Sequence, residues 1–122
     1  MHYKMRDQIR FKIGKEEKNI QEKWIEIPEG TEHIQMMIEM PEEFRYMAFL
    51  FLEDPKKEIR FQKLLGYGQQ NPGIGKSTKD TTIGGVPGEI YPGTWKIGIG
   101  IFTEYVAQKL GEQTGEIVLT VS

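Results

Sequence analysis

Along most of this chain apolar and polar residues alternate with a period of two, the pattern of strands that bury one face. Tyr3 to Ile13 alternates loosely and stops at Gly14. Trp24-Ile25-Glu26-Ile27 stops at Pro28-Glu29-Gly30, a turn signal. His33 to Met40 places Ile34, Met36, Ile38 and Met40 on one face and halts at Pro41. Phe44 to Leu52 is apolar on both faces, with Phe44, Tyr46, Ala48, Leu50 and Leu52 on one and Met47, Phe49 and Phe51 on the other; it ends at Glu53-Asp54-Pro55. Ile59 to Leu65 ends at Gly66-Tyr67-Gly68. Thr94 to Phe102 aligns Trp95, Ile97, Ile99 and Ile101, and Glu116 to Val121 aligns Ile117, Leu119 and Val121.

About seven to nine short strands separated by turns predict an all-β fold, an antiparallel β-sandwich of jelly-roll type. Phe44–Leu52 is expected at the centre of a sheet, because both of its faces are apolar. Pro41-Glu42-Glu43 resembles a helix start, with proline at the first helical position and acids in the first turn. The aromatic content of the segment favours the strand. Thr103 to Gly115 is expected to be a loop holding at most one helical turn around Tyr105–Leu110. Twelve of the fourteen glycines lie from Gly66 onward, so regular strands are expected first and turn-rich chain afterwards.

The 122 residues fit one domain, 1–122, large enough to need no disulfide or metal staple. There is no cysteine, which removes thiolate metal sites and cysteine nucleophiles. Sixteen basic against eighteen acidic residues leave a net charge of −2, which argues against nucleic acid as a partner. Nine of the acids fall between Gln21 and Asp54, where Lys23 and Arg45 are the only bases. They form either solvated strand edges or a docking face for a basic partner or weakly held cation. Met1 to Asp7 lacks the apolar core of a secretory signal, and the longest apolar run, Tyr46 to Leu52, is too short for a membrane span. A cytoplasmic location without membrane contact is expected.

Reactive constellations are scarce. Gly75-Lys76-Ser77 imitates the end of a phosphate-binding loop, but Gln70 stands where that motif needs glycine, and the following residues are poor helix formers. A flexible surface loop is expected there. His2 and His33 form no pair at metal-ligand spacing. His33, just after a turn, is expected to face solvent. Glu16-Glu17 and Glu42-Glu43 are adjacent and would point to opposite sides of a strand, so neither is an acid/base dyad. No Gly-x-Ser-x-Gly elbow is present. These residues nominate no catalytic, cofactor or metal position. Trp95 shares the parity of Ile97, Ile99 and Ile101 and is expected in the core. Trp24 shares that of Glu22 and Glu26, and an exposed platform for a sugar ring is open to it.

The most distinctive run is Gly84-Gly85-Val86-Pro87-Gly88-Glu89-Ile90-Tyr91-Pro92-Gly93-Thr94-Trp95, leading into Lys96-Ile97-Gly98-Ile99-Gly100. Pro87-Gly88 and Pro92-Gly93 are turn dipeptides, proline fixing φ and glycine accepting a positive one. Gly98 and Gly100 leave one face of their strand bare, and Phe49 and Phe51 are candidates to cover it. Met47, Phe49 and Phe51, with Met37 at matching parity, are the candidate docking face, since a contiguous apolar patch marks an interface. The Thr103–Gly115 segment or the N-terminal segment folding over it is the alternative.

This run, together with Ile27-Pro28-Glu29-Gly30 and Leu52-Glu53-Asp54-Pro55, resembles the amino-terminal β-sandwich domain of CehA/McbA-type metallohydrolases, over roughly residues 20–121. In that family the domain precedes a metal-dependent catalytic domain of the polymerase-and-histidinol-phosphatase (PHP) type, within the phosphoesterase superfamily. The resemblance implies a non-catalytic accessory domain, excised from a longer protein, whose partner is its own C-terminal hydrolase domain or a second copy. No position here matches a catalytic motif of the family, so no catalytic residue carries over. A stand-alone carbohydrate- or peptide-binding sandwich is the competing expectation.

Overall fold

A computed structural model of the chain describes residues 5–39, 48–65 and 69–122. Within them the strands are β1 (Met5–Ile13), β2 (Ile20–Ile27), β3 (His33–Glu39), β4 (Ala48–Glu53), β5 (Ile59–Leu65), β6 (Gln69–Gln70), β7 (Gly73–Gly75), β8 (Gly93–Gly100) and β9 (Gln113–Val121). One α-helix, α1 (Thr103–Leu110), stands between the last two strands. The first sheet has the order β1-β9-β3-β6, with β7 also pairing β3, and the second has the order β2-β8-β4-β5; every pairing is antiparallel. If β6 and β7 are counted as one interrupted strand, this interleaving is the eight-strand jelly roll. Among the described residues no helix is long and apolar enough to cross a membrane.

The period-two pattern sets what is inside. Ile9, Phe11 and Ile13, then Ile34, Met36 and Ile38, then Ile117, Leu119 and Val121 are buried from the first sheet. Ile25, Ile27, Leu50, Leu52, Trp95, Ile97 and Ile99 meet them from the second. β4 lies between β8 and β5, as its apolar content predicts, but only Ala48, Leu50 and Leu52 turn inward. The helix-start reading of Pro41-Glu42-Glu43 and the first part of that predicted strand lie outside the described residues.

Three expectations need correction. Thr103–Leu110 is a two-turn helix rather than a loop with a single turn. Its N-cap position is Phe102, whose side chain caps nothing; Asn19 Oδ1 instead accepts from the Thr103 amide at 3.2 Å, and the Thr103 hydroxyl donates to the Glu17 carbonyl at 2.8 Å. Residues 73–75, expected to be a flexible loop, form a buried strand. The Gly73 amide donates to Thr82 Oγ1 and the Gly75 amide to Thr81 Oγ1, at 3.0 and 3.1 Å. His33, expected to face solvent, is half-buried; its ring packs on Gly73 and Gly75 and its Nε2 lies 3.2 Å from the Asp80 carbonyl oxygen.

Two of the three motifs that carry the family resemblance meet at one corner. Asp54 accepts from the amides of Lys56 and Glu58 and closes the β4–β5 turn. In the pairing of β4 with β5, Leu52 faces Phe61 and Glu53 faces Ile59, which leaves Arg60 as the extra residue of a bulge. A bulge re-aims a side chain, and Arg60 is buried here, 3.5 Å from Asp54. Its guanidinium donates to the Val86 and Glu89 carbonyls, at 3.2 and 2.7 Å, and lies against the Trp95 and Tyr91 rings. Trp95 is fully buried and its indole N–H donates to the Tyr91 carbonyl at 2.7 Å. Gly88 and Gly93 take φ of 148° and 123°, so the chain bends at both Pro-Gly dipeptides as their composition predicts. The distinctive run is thus a strut pinned by Arg60 at the entry to β8.

Candidate functional site: the outer face of the second sheet

Buried side chains of β2, β8, β4 and β5 point at the first sheet, so the alternate positions form an outer face. The register orders them in rows. Ile20 pairs with Gly100, Gly100 with Phe49, and Phe49 with Leu64. The next row outward-facing is Glu22, Gly98, Phe51 and Gln62, and the one beyond it holds Trp24, Lys96 and Glu53. Ile20, Trp24 and Leu64 are more than half exposed, at 61%, 63% and 56%, and Phe49 is exposed at 36%. For residues on a solvent-facing sheet these are costly side chains to leave in water.

Gly98 is the low point of this face, and Phe51 fills it. A β-carbon at Gly98 would run into the Phe51 ring, which lies over the glycine backbone. The ring lies against β8 from the neighbouring strand, tilted 35° from that of Phe49, with centroids 6.4 Å apart. This is how the bare face foreseen from Gly98 and Gly100 is covered at Gly98. At Gly100 the space is open, since an added β-carbon would meet only Phe49 atoms at ordinary contact distance, 3.9 Å.

A charged trio sits between Trp24 and Phe51. Lys96 Nζ lies 3.0 Å from Glu22 and 3.8 Å from Glu53, and 5.9 Å from the Phe51 ring centroid. The hydrogen bond to Glu22 holds the Lys96 ammonium above the ordinary lysine range, against the opposing pull of partial desolvation; the Glu22 and Glu53 charges add to the rise. Farther along β2, Glu26 accepts a hydrogen bond from the Thr94 hydroxyl. At the other end lie two depressions. One, of about 470 Å³, follows the free edge of β2 past Ile20, Glu22 and Trp24. The other, of about 570 Å³, is lined by Asn19, Phe102 and Tyr105 at the start of α1, and Phe102 is 66% exposed.

The edges of this sheet are guarded. On β5, the chain from Gly84 to Val86 runs alongside, with the Gln62 amide donating to Gly84 and the Val86 amide to Arg60. Lys23 on β2 and Lys63 on β5 occupy inward-parity positions and are exposed, as charged residues on edges that discourage strand addition are.

Of the candidate docking residues, Phe49 and Phe51 lie together on this face. Met47 lies outside the described residues. Met37 does not join them: it is on β3, in the first sheet, 44% exposed and opposite Val118 of β9. Matching parity misled because β3 and β4, neighbours in sequence, belong to different sheets. Ile20 and Leu64 went unnoticed in the sequence, although the parity of Ile20 with Glu22 and Trp24 was a readable signal. Among the described residues the acids of Gln21–Asp54 are dispersed. Glu22 and Glu53 meet Lys96, Asp54 meets Arg60, and Glu32 lies 3.9 Å from Lys76. Among the described residues no three histidine, aspartate or glutamate side chains gather as a metal site. Scanned against models of known protein families the chain matches none, and no curated protein matches it.

Proposed function

We propose that this chain is a non-catalytic accessory module that binds through the outer face of its second sheet. The observation that carries the reading is the row Ile20–Gly100–Phe49–Leu64 beside exposed Trp24, an apolar surface that the sandwich core does not use. The resemblance to CehA/McbA-type proteins supplies the setting, a module beside a PHP-type metal-dependent hydrolase in the cytoplasm. Adding a purified catalytic domain of that type to the isotope-labelled chain tests it. Amide shifts gathered on Ile20, Trp24, Phe49 and Leu64, and lost in Leu64→Glu, are expected; shifts on the first sheet instead, or none, overturn the hydrolase setting. Metal-dependent phosphoester turnover by the chain alone, surviving repurification and lost in His33→Ala, overturns the non-catalytic role.

A further inference from the structure

Resting on the outer face as the working surface, the chemistry of its middle rows names a ligand class. A partner from a separate chain fits poorly, whereas a neighbouring domain of the same chain needs less area. Four strands about 4.8 Å apart and three rows about 7 Å apart make a platform of roughly 300 Å², against the roughly 800 Å² that each side of a stable protein complex buries. The core of a protein interface is also depleted of charge, whereas Lys96, Glu22 and Glu53 stand beside Phe51 here. Covering them with apolar surface would strand three charges. An extended peptide adding to a strand edge meets Lys23 on one side and the Gly84–Val86 segment on the other.

A sugar ring has the opposite requirements. Its axial C–H face is apolar and stacks on an aromatic ring, while its rim of hydroxyls both donates and accepts. Phe51 is half-buried with its ring over the Gly98 backbone, so part of its side-chain freedom is already spent before stacking. Around it stand two carboxylates, an ammonium and the Gln62 amide, groups that can hydrogen-bond equatorial hydroxyls without losing their charge partners. Trp24 lies two strands and one row away, roughly 12 Å between Cα atoms, within reach of one extended oligosaccharide. Glu22, Glu26 and Glu53 outnumber Lys96, so an anionic sugar is repelled.

We propose that the outer face of the second sheet is a binding platform for a neutral, equatorially linked pyranose chain, with Phe51 and Trp24 as stacking rings and Glu22, Glu53, Lys96 and Gln62 as hydroxyl contacts. The test titrates the whole labelled chain with cellohexaose, xylohexaose and mannohexaose, with an oligogalacturonate as the anionic control, following amide and indole signals to about 10 mM, enough to reveal even a ~1 mM Kd. Saturable shifts at Trp24, Phe51, Gln62 and Lys96 with a neutral hexaose, and weaker or none with the galacturonate, are expected. Phe51→Ala and Trp24→Ala should each weaken binding about tenfold, roughly one aromatic contact. Trp24→Ala, an exposed site, keeps the test valid should Phe51→Ala fail to fold. No saturable shift with any neutral hexaose, or affinities unchanged in Trp24→Ala, overturns the proposal. If the same face then responds to the hydrolase domain, the broader reading survives the loss of the sugar; silence toward both sinks both.

Discussion

The same local device appears on both sides of this sandwich. In the first sheet Phe11 faces Gly115 across the β1–β9 ladder, and its ring lies over the glycine inside the core. In the second sheet Phe51 faces Gly98 across the β4–β8 ladder, and its ring lies over the glycine on the outside. The inner pair is explained by folding alone, since a close-packed interior needs a large ring beside a residue with no side chain. The outer pair has no such requirement. The outer face of the first sheet is mostly polar: Arg6, Gln8, Arg10 and Lys12 on β1 and Thr114, Glu116 and Thr120 on β9, with Val118 and exposed Met37 as its apolar members. There Gln8 and Arg10 hold Glu116, at 2.7 and 3.4 Å, and the hydrogen bond from Gln8 leads in keeping the Glu116 carboxyl below its ordinary range. The two outer faces share a fold and a solvent, so folding alone does not ask for the row Ile20–Gly100–Phe49–Leu64 on the second.

Substitutions at the paired positions can break that comparison. The largest effect is expected from Phe11→Ala, which should cost about 3–5 kcal/mol by leaving a cavity in the core; urea unfolding measures it. Phe51→Ala should cost only about 1 kcal/mol, the worth of a cross-strand pair, and equal losses would mean that the outer ring is as structural as the inner one. Next comes Gly115→Ala, expected to cost about 1–3 kcal/mol because the Phe11 ring has no room to retreat. Gly98→Ala should cost less than about 1 kcal/mol, since Phe51 can swing into solvent. That swing should move the Phe51 ring signals toward exposed values and, if the sugar platform is real, weaken hexaose binding as Phe51→Ala does.

The smallest effect concerns Lys96. Its pKa is raised above 10.5 by Glu22, so the contribution of that pair to stability is complete below pH 10.5 and fades as pH climbs through the folded-state value. Titration of the Lys96 side-chain signals should give a midpoint above 10.5 that falls back in Glu22→Ala. A midpoint unmoved by that change would remove Glu22 from the charged trio.

The parity of single strands was written into the sequence because side chains alternate whatever the neighbours are. That parity gave the buried status of Trp95 and the sandwich class, left the exposure of Trp24 open, and the apolar content of both its faces gave the central place of β4. Glycine and proline marked the bends at Gly88 and Gly93 because few other residues accept those angles. Tertiary structure decided the rest. Whether Met37 shares a face with Phe49 depends on which sheet each strand joins, and a chain that crosses between sheets at most of its turns leaves no local trace of that choice. The helix α1 is completed by Asn19 and Glu17, far back in sequence, and the strand Gly73–Gly75 by Thr81, Thr82 and His33. The most conspicuous run, from Gly84 to Trp95, is pinned through its backbone carbonyls by the buried Arg60, far back in sequence. The outer face, by contrast, was spread over four strands as residues that look ordinary one at a time, and only their registration into rows gives them a surface in common.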